Sequence, residues 1–143
     1  MPAADYNFSI EKGTSFYISF DYKDDTQTPI NLENWCARLR WIDSDGNTQT
    51  FVTDTTSSDY QFTIDPAIGR LVFKLPATAT AAYTWTSASY DLELQEPNDL
   101  YNGGGKRVFR ILKGFISLVT RNVPGEEAFV CNTDAQDPCN TCP

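Results

Sequence analysis

The sequence predicts an all-β sandwich. Three observations support this: apolar and polar residues alternate with a period of two, long helical periodicity does not occur, and turn-forming residues separate the alternating runs at short intervals. Hydrophobic residues make up 41% and aromatic residues 13% of the 143-residue chain. That length and composition are sufficient to bury a core within one folded domain.

The first half of the chain contains three alternating runs that predict strands. The apolar faces of the first two comprise Phe16, Ile18, Phe20 and Tyr22, and then Trp35, Ala37, Leu39 and Trp41. Cys36 lies on the opposite face of the second run, together with Arg38 and Arg40. An Asp- and Gly-rich turn at residues 43–47 then leads into a polar, edge-like return strand at residues 48–53.

Four more alternating runs follow, at residues 60–64, 71–75, 90–94 and 106–119. Pro76 ends the second of these because proline cannot donate to a strand ladder. Residues 77–83 predict one helical turn, and Gly114 predicts a bulge or a bend in the middle of the last and longest strand. About seven short strands at this spacing predict an antiparallel sandwich of immunoglobulin-like architecture.

The composition changes after Arg121, where Val123-Pro124-Gly125 interrupts the strand pattern. The rest of the sequence has neither a basic residue nor β alternation. We therefore divide the chain into a sandwich at residues 1–122 and an irregular, cysteine-containing extension at residues 123–143. We expect the extension to become ordered only through a partner, a cross-link or a metal ion.

The extension contains Cys131, Cys139 and Cys142, and the last two form a C-x-x-C pair that can hold one soft metal ion. A zinc ion or an iron–sulfur cluster takes four such ligands, so Cys36 or a neighbouring subunit would supply the fourth. Spacing alone leaves three alternatives open: a disulfide or cross-link, a zinc ion or iron–sulfur cluster, and incidental thiols. We expect no other cofactor.

The net charge of −8 argues against nucleic-acid binding and against docking on an anionic membrane surface. No apolar run approaches the ~20 residues that a membrane-spanning helix needs. Histidine is absent, which excludes Ser-His-Asp and Cys-His catalysis and every zinc site with a histidine ligand. The sequence therefore predicts a protein that is not an enzyme.

Two features are candidates for an interaction surface. The first is a basic segment that comprises Lys106, Arg107, Arg110 and Lys113. Cross-strand pairing with Asp91 and Glu93 is the preferred interpretation of this segment, ahead of a phosphate site beside the glycines at 103–105. The second is Trp85, which follows the helical turn. An exposed ring there would suit a carbohydrate-binding module, which is the alternative function.

Six segments give the chain a resemblance to a known group of proteins. They are Glu-Lys-Gly-Thr-Ser-Phe (11–16), Pro-Ile-Asn-Leu (29–32), Asp-Pro-x-x-Gly-Arg-Leu (65–71), Leu-Pro-Ala-Thr-x-Thr (75–80), Tyr-Asp-Leu-Glu-Leu (90–94) and Arg-Ile-Leu-Lys-Gly-Phe-Ile-Ser-Leu-Val-Thr-Arg (110–121). In this order they resemble the immunoglobulin-like domains of tailed-bacteriophage virions, in particular the N-terminal domain of baseplate upper proteins. The resemblance covers roughly residues 6–122 and consists of turns and strand faces.

The resemblance implies a structural virion component without an active site. Such a protein would be a multi-copy tail or baseplate adaptor that joins or positions fibres or neighbouring subunits. Its expected partners are baseplate, tail-tube or fibre proteins and further copies of itself, and its expected location is the virion tail, after assembly in the host bacterial cytoplasm. Baseplate upper proteins continue into a long receptor-binding or fibre-attaching region, where this chain has the cysteine-containing extension instead. That departure favours an adaptor, with a head-decoration or neck protein as a variant.

Overall fold

The computed structural model describes residues 3–53, 61–98 and 105–120, which form two β-sheets packed around one core. The strands are β1 (Ala4–Asp5), β2 (Phe8–Glu11), β3 (Phe16–Asp21), β4 (Cys36–Asp43), β5 (Thr48–Val52), β6 (Phe62–Asp65), β7 (Arg70–Leu75), β8 (Ser87–Gln95) and β9 (Val108–Val119). A 3-10 turn (Pro66–Ile68) joins β6 to β7, and a short helix α1 (Ala77–Ala81) lies between β7 and β8.

The larger sheet has the strand order β1-β9-β8-β4-β5, with β2 also paired to β9, and the smaller sheet has the order β3-β7-β6. This order matches the two sheets of an immunoglobulin-like sandwich, so the predicted fold class is confirmed. One difference concerns strand direction. Both β1 and β2 run parallel to β9, whereas every other named strand pair is antiparallel in the described residues.

The core lies between the two sheets and follows the predicted strand faces. In β4, Ala37, Leu39 and Trp41 are buried, while Cys36 and Ile42 on the other face are exposed. Phe73 of the smaller sheet contacts the Trp41 ring at 6.4 Å between centroids. Full burial of one such apolar side chain contributes about 1.5–3 kcal/mol.

Gly114 does not carry the predicted bulge. It stays in register opposite Tyr90, and the β8–β9 register shifts after Leu92 instead. A Cβ on Gly114 would lie 2.2 Å from the carbonyl oxygen of Tyr6 and 2.7 Å from Oδ1 of Asn7. Glycine is required here because the N-terminal backbone crosses directly over this position.

Two strands, β1 and β2, are not among the predicted ones, so the described residues form nine strands where about seven are expected. The other element predictions differ from the structure at their bounds. The helical turn is present as α1, and β9 begins at Val108, two residues later than predicted. The return strand β5 forms an edge of the larger sheet, as its polar composition predicts. The domain boundary at 122 and the extension at 123–143, with Cys131, Cys139 and Cys142, lie outside the described residues.

Candidate interaction surfaces

Trp85 is buried, which contradicts the exposed ring that a carbohydrate-binding module would need at this position. Only 4% of this residue is accessible. Its ring centroid lies 5.7 Å from that of Trp41 and 5.2 Å from that of Tyr83, within an aromatic cluster at the end of α1. Trp85 lies in the segment between α1 and β8, which crosses the end of the core. Burial of the indole there is favourable, so the ring points into the core although the residue is not part of a strand. The carbohydrate-binding alternative loses the residue on which it depended.

Three of the four residues of the basic segment form ion pairs with acidic side chains. Arg110 lies 3.5 Å from Asp91, as predicted, and Arg107 pairs with Glu96 and lies over the Phe109 ring. Lys113 Nζ lies 3.9 Å from Asp5. These pairs are cross-strand neighbours on one sheet and are partly exposed, so each contributes at most about 1 kcal/mol.

Two further predictions about this face have mixed outcomes. Glu93 pairs with Arg38 of β4, at 2.8 Å, rather than with the basic segment. Lys106 is exposed, and Cys36 is exposed on the Arg38 face as predicted. No cluster of three or more potential metal ligands occurs in residues 3–53, 61–98 and 105–120.

An apolar pair interrupts the polar outer face of the larger sheet. Ile42 and Phe115 are 53% and 61% accessible, and both are register partners of Ser89. They therefore flank this small residue on one row of the sheet. The sequence alone does not reveal this row, because it depends on how three separate strands align.

The smaller sheet has an open edge at β3. Within the described part of the chain, β3 pairs with β7 alone, and its core-facing side chains are only half-buried. The Lys74 N–H donates to the Gln61 carbonyl, so alternate residues of β7 face β6. By the same alternation, the backbone groups of Tyr17, Ser19 and Asp21 face away from β7. We call these outward groups the β3 edge.

A groove of about 550 Å³ lies beside the β3 edge, between the end of β3 and the start of β9. We call it the β3 groove. Its apolar walls include Phe20 and Leu71 from the smaller sheet and Ile111 and Leu112 from the larger sheet, and Lys23 and Arg110 add positive charge. Asp21 also lines the groove, but its carboxylate accepts a 2.7 Å hydrogen bond from Arg70, which lowers the pKa of Asp21.

No protein-family model matches this sequence, and a comparison with curated proteins finds no significant relative. In the part of the chain that the structure describes, no helix is long and apolar enough to cross a membrane.

Proposed function

We propose that this chain is a structural virion component of a tailed phage, a multi-copy adaptor of the tail or baseplate. In this role the sandwich is a rigid body, and the extension at 123–143 docks onto a neighbouring subunit. Its partners are other virion proteins and further copies of the chain. The observation that carries the proposal is the way in which the fold pairs the six resembling segments.

The first pair joins segment 11–16 to segment 75–80. The Gly13 N–H donates to Oγ1 of Thr80 at 3.0 Å, and this hydroxyl donates to the Thr14 carbonyl at 2.7 Å. Thr80 is fully buried. Because this buried hydroxyl both accepts and donates a hydrogen bond, it holds the turn between β2 and β3 against α1.

The second pair joins segment 29–32 to segment 65–71. The Leu32 N–H donates to the Pro66 carbonyl at 3.0 Å. Gly69 has φ +62°, and a Cβ there would lie 2.6 Å from the Ile30 carbonyl oxygen and 2.7 Å from that of Tyr22. Only glycine fits both this left-handed backbone and this close approach.

The third pair consists of segments 90–94 and 110–121, which are the hydrogen-bonded strands β8 and β9. Each resembling segment therefore contacts another one that is distant in the chain, and the Gly13–Thr80 contact joins residues 67 positions apart. This arrangement supports a resemblance of the whole domain rather than of isolated turns. The phage role is then the function that the resemblance implies.

Deletion of the extension tests the role. A chain that ends at Asn122 is compared with the full chain for incorporation into phage particles, measured by quantitative mass spectrometry of purified virions. We expect strongly reduced incorporation, because the extension makes the contact with the neighbour. The control replaces residues 123–143 with a Gly/Ser segment of equal length, which separates chain length from specific docking.

Normal incorporation of the shortened chain would contradict the docking role, provided that its thermal unfolding matches that of the full chain. Elemental analysis and thiol counting with and without reductant then distinguish zinc, iron, disulfide and free thiols at Cys131, Cys139 and Cys142. Replacement of these three cysteines with serine should reduce incorporation if a cross-link or metal ion holds the extension in place.

A further inference from the structure

The β3 edge and the β3 groove together have the features of a strand-addition site. The outward N–H and C=O groups of β3 can form a ladder with an added extended segment, while the groove accepts alternate side chains from it. In a sandwich whose first strand joins the smaller sheet, that strand would occupy this edge. Here β1 and β2 pair with β9 instead. The N-terminal segment therefore forms no backbone ladder with β3, and it contributes Ala4 and Tyr6 to the wall of the groove, where the Tyr6 ring packs edge-on against Phe20.

The direction of the strands constrains what can add at this edge. The Lys12 N–H donates to the Val119 carbonyl, so β9 ends beside the turn that leads into β3. Residues at the start of β9 and the end of β3 both line the groove, so these two strands run in opposite directions. The chain's own extension would thus reach β3 from its Phe16 end and pair with it in parallel. The extension of another copy can enter antiparallel, which is the more stable ladder and the one that β7 already forms.

The charges favour the same direction. The extension contains Glu126 and Glu127, followed by the apolar run Ala128-Phe129-Val130. In an antiparallel arrangement the glutamates come first, at the end of β3 where Lys23 lines the groove. The apolar run then follows along the groove walls. In a parallel arrangement the glutamates would lie at the opposite end, away from Lys23.

We propose that the β3 edge and groove bind the extension of a second copy of this chain, through antiparallel strand addition with Phe129 in the groove. This inference rests on the proposed function, because it names the site at which the neighbouring subunit is held. Each copy then both donates an extension and receives one. Such head-to-tail exchange builds a closed ring when the rotation between copies closes and a filament when it does not.

Photo-cross-linking of the full chain tests the site. Phe129 is replaced by p-benzoylphenylalanine, and this chain is mixed with uniformly ¹⁵N-labelled wild-type chain at about 1 mM, where even a millimolar contact is substantially occupied. Mass spectrometry then identifies cross-links between light and heavy chains. We expect these to join position 129 to residues 16–23 or 109–112. Cross-links confined to one chain, cross-links to another surface, or none at all would overturn the proposal.

Two proline variants separate a specific edge contact from general proximity. S19P removes an outward N–H from the β3 edge and should reduce the intermolecular cross-link about tenfold. The matched control is T50P on the β5 edge. The Thr53 N–H faces β4 and donates to Ala37, so by alternation that of Thr50 faces outward. T50P should change the yield less than about twofold. Equal reductions by both variants, with unfolding temperatures unchanged, would exclude the β3 edge as the site.

A charge exchange tests the direction. K23E should lower the cross-link yield several-fold, and the combined change E126K/E127K in the same chain should restore it. Failure to restore it would exclude the antiparallel arrangement. These results are independent of the incorporation assay. Loss of incorporation on deletion without cross-linking at β3 would reject this site and keep the adaptor role, whereas normal incorporation would reject docking through the extension altogether.

Discussion

The two sheets meet the N-terminal strand differently, although their edges lie on the same side of the sandwich. The edge of β9 is closed by β1 and β2, and the Tyr90 hydroxyl donates to the Tyr6 carbonyl at 2.6 Å across this junction. The edge of β3 has no such strand in the described residues. In the described residues, one short segment therefore closes the edge of the larger sheet and leaves the edge of the smaller sheet unpaired.

Gly114→Ala should have the largest effect, because it acts where the closed edge is tightest. The new methyl group would meet the Tyr6 carbonyl oxygen at 2.2 Å and force β1 away from β9. We expect a loss of about 3 kcal/mol in the free energy of unfolding, measured by urea denaturation. The control is Gly46→Ala, where no described atom lies within 4 Å and only the left-handed backbone is strained, by about 1–2 kcal/mol. Equal losses of unfolding free energy in the two variants would show that β1 can move away from β9 at no greater cost than local backbone strain.

Thr80→Ala should be next, because Thr80 holds the turn through which the chain passes from the closed edge to the open one. The change leaves the Gly13 N–H and the Thr14 carbonyl without their partner. We expect a loss of about 2 kcal/mol, with Thr80→Ser retaining most of the stability because it keeps the hydroxyl. Chemical denaturation of the two variants side by side is the measurement. A serine variant as unstable as the alanine variant would assign the effect to the lost methyl group instead.

Alkaline pH should weaken the aromatic packing around Tyr83, which contacts Trp41 and Trp85, and around Tyr90 at the closed edge. Burial raises the pKa of Tyr83 to about 12, and burial also raises the pKa of Tyr90. Each raised pKa favours the neutral phenol in the folded state, so stability is present below about pH 10 and is lost as the pH rises toward the folded-state value. We expect Tyr83→Phe to remove on the order of 1 kcal/mol of the loss between pH 9 and pH 11. Identical pH profiles for this variant and the wild type would contradict the assignment.

Ser19→Pro should have the smallest effect on an isolated chain, because the N–H that it removes faces the open edge. We expect a loss below about 1 kcal/mol. Its register partner is Val72, whose N–H faces β6. Val72→Pro should cost about 3 kcal/mol or more, because it breaks a ladder bond in the centre of the sheet. Thermal unfolding of dilute protein compares the two, and similar losses would mean that β3 is already covered within the monomer.

The sequence contains the information for the strand faces but not for the choice of sheet. Alternation in β4 predicts burial of Leu39 and Trp41 because side-chain direction in a strand is a local property. The choice of β9 over β3 by the N-terminal strand is not local, since Phe8 and Ile10 alternate in a way that suits either edge. The same limit explains Trp85, whose burial depends on where a connecting segment crosses the core. It also explains Gly114, where sequence indicated a special position without identifying the crossing backbone.

The candidate interaction surfaces show the same division. Pairing of Arg110 with Asp91 could be predicted, because both belong to neighbouring strands with opposite charges. The row that contains Ile42 and Phe115 could not, because the alignment of three strands creates it. The β3 groove lies between the two sheets, and no single segment of the sequence encodes it.

The parallel pairing of β2 with β9 also has a mechanical consequence. The chain enters β2 at the Phe8 end and leaves β9 beyond Val119, at the opposite end of this strand pair. A pull between the two sides of the domain would therefore load the hydrogen bonds of this pair in shear, all at once, instead of opening them one after another. Because these hydrogen bonds would have to break together, the pair that closes the larger sheet would resist such a force more than the same pair opened from one end.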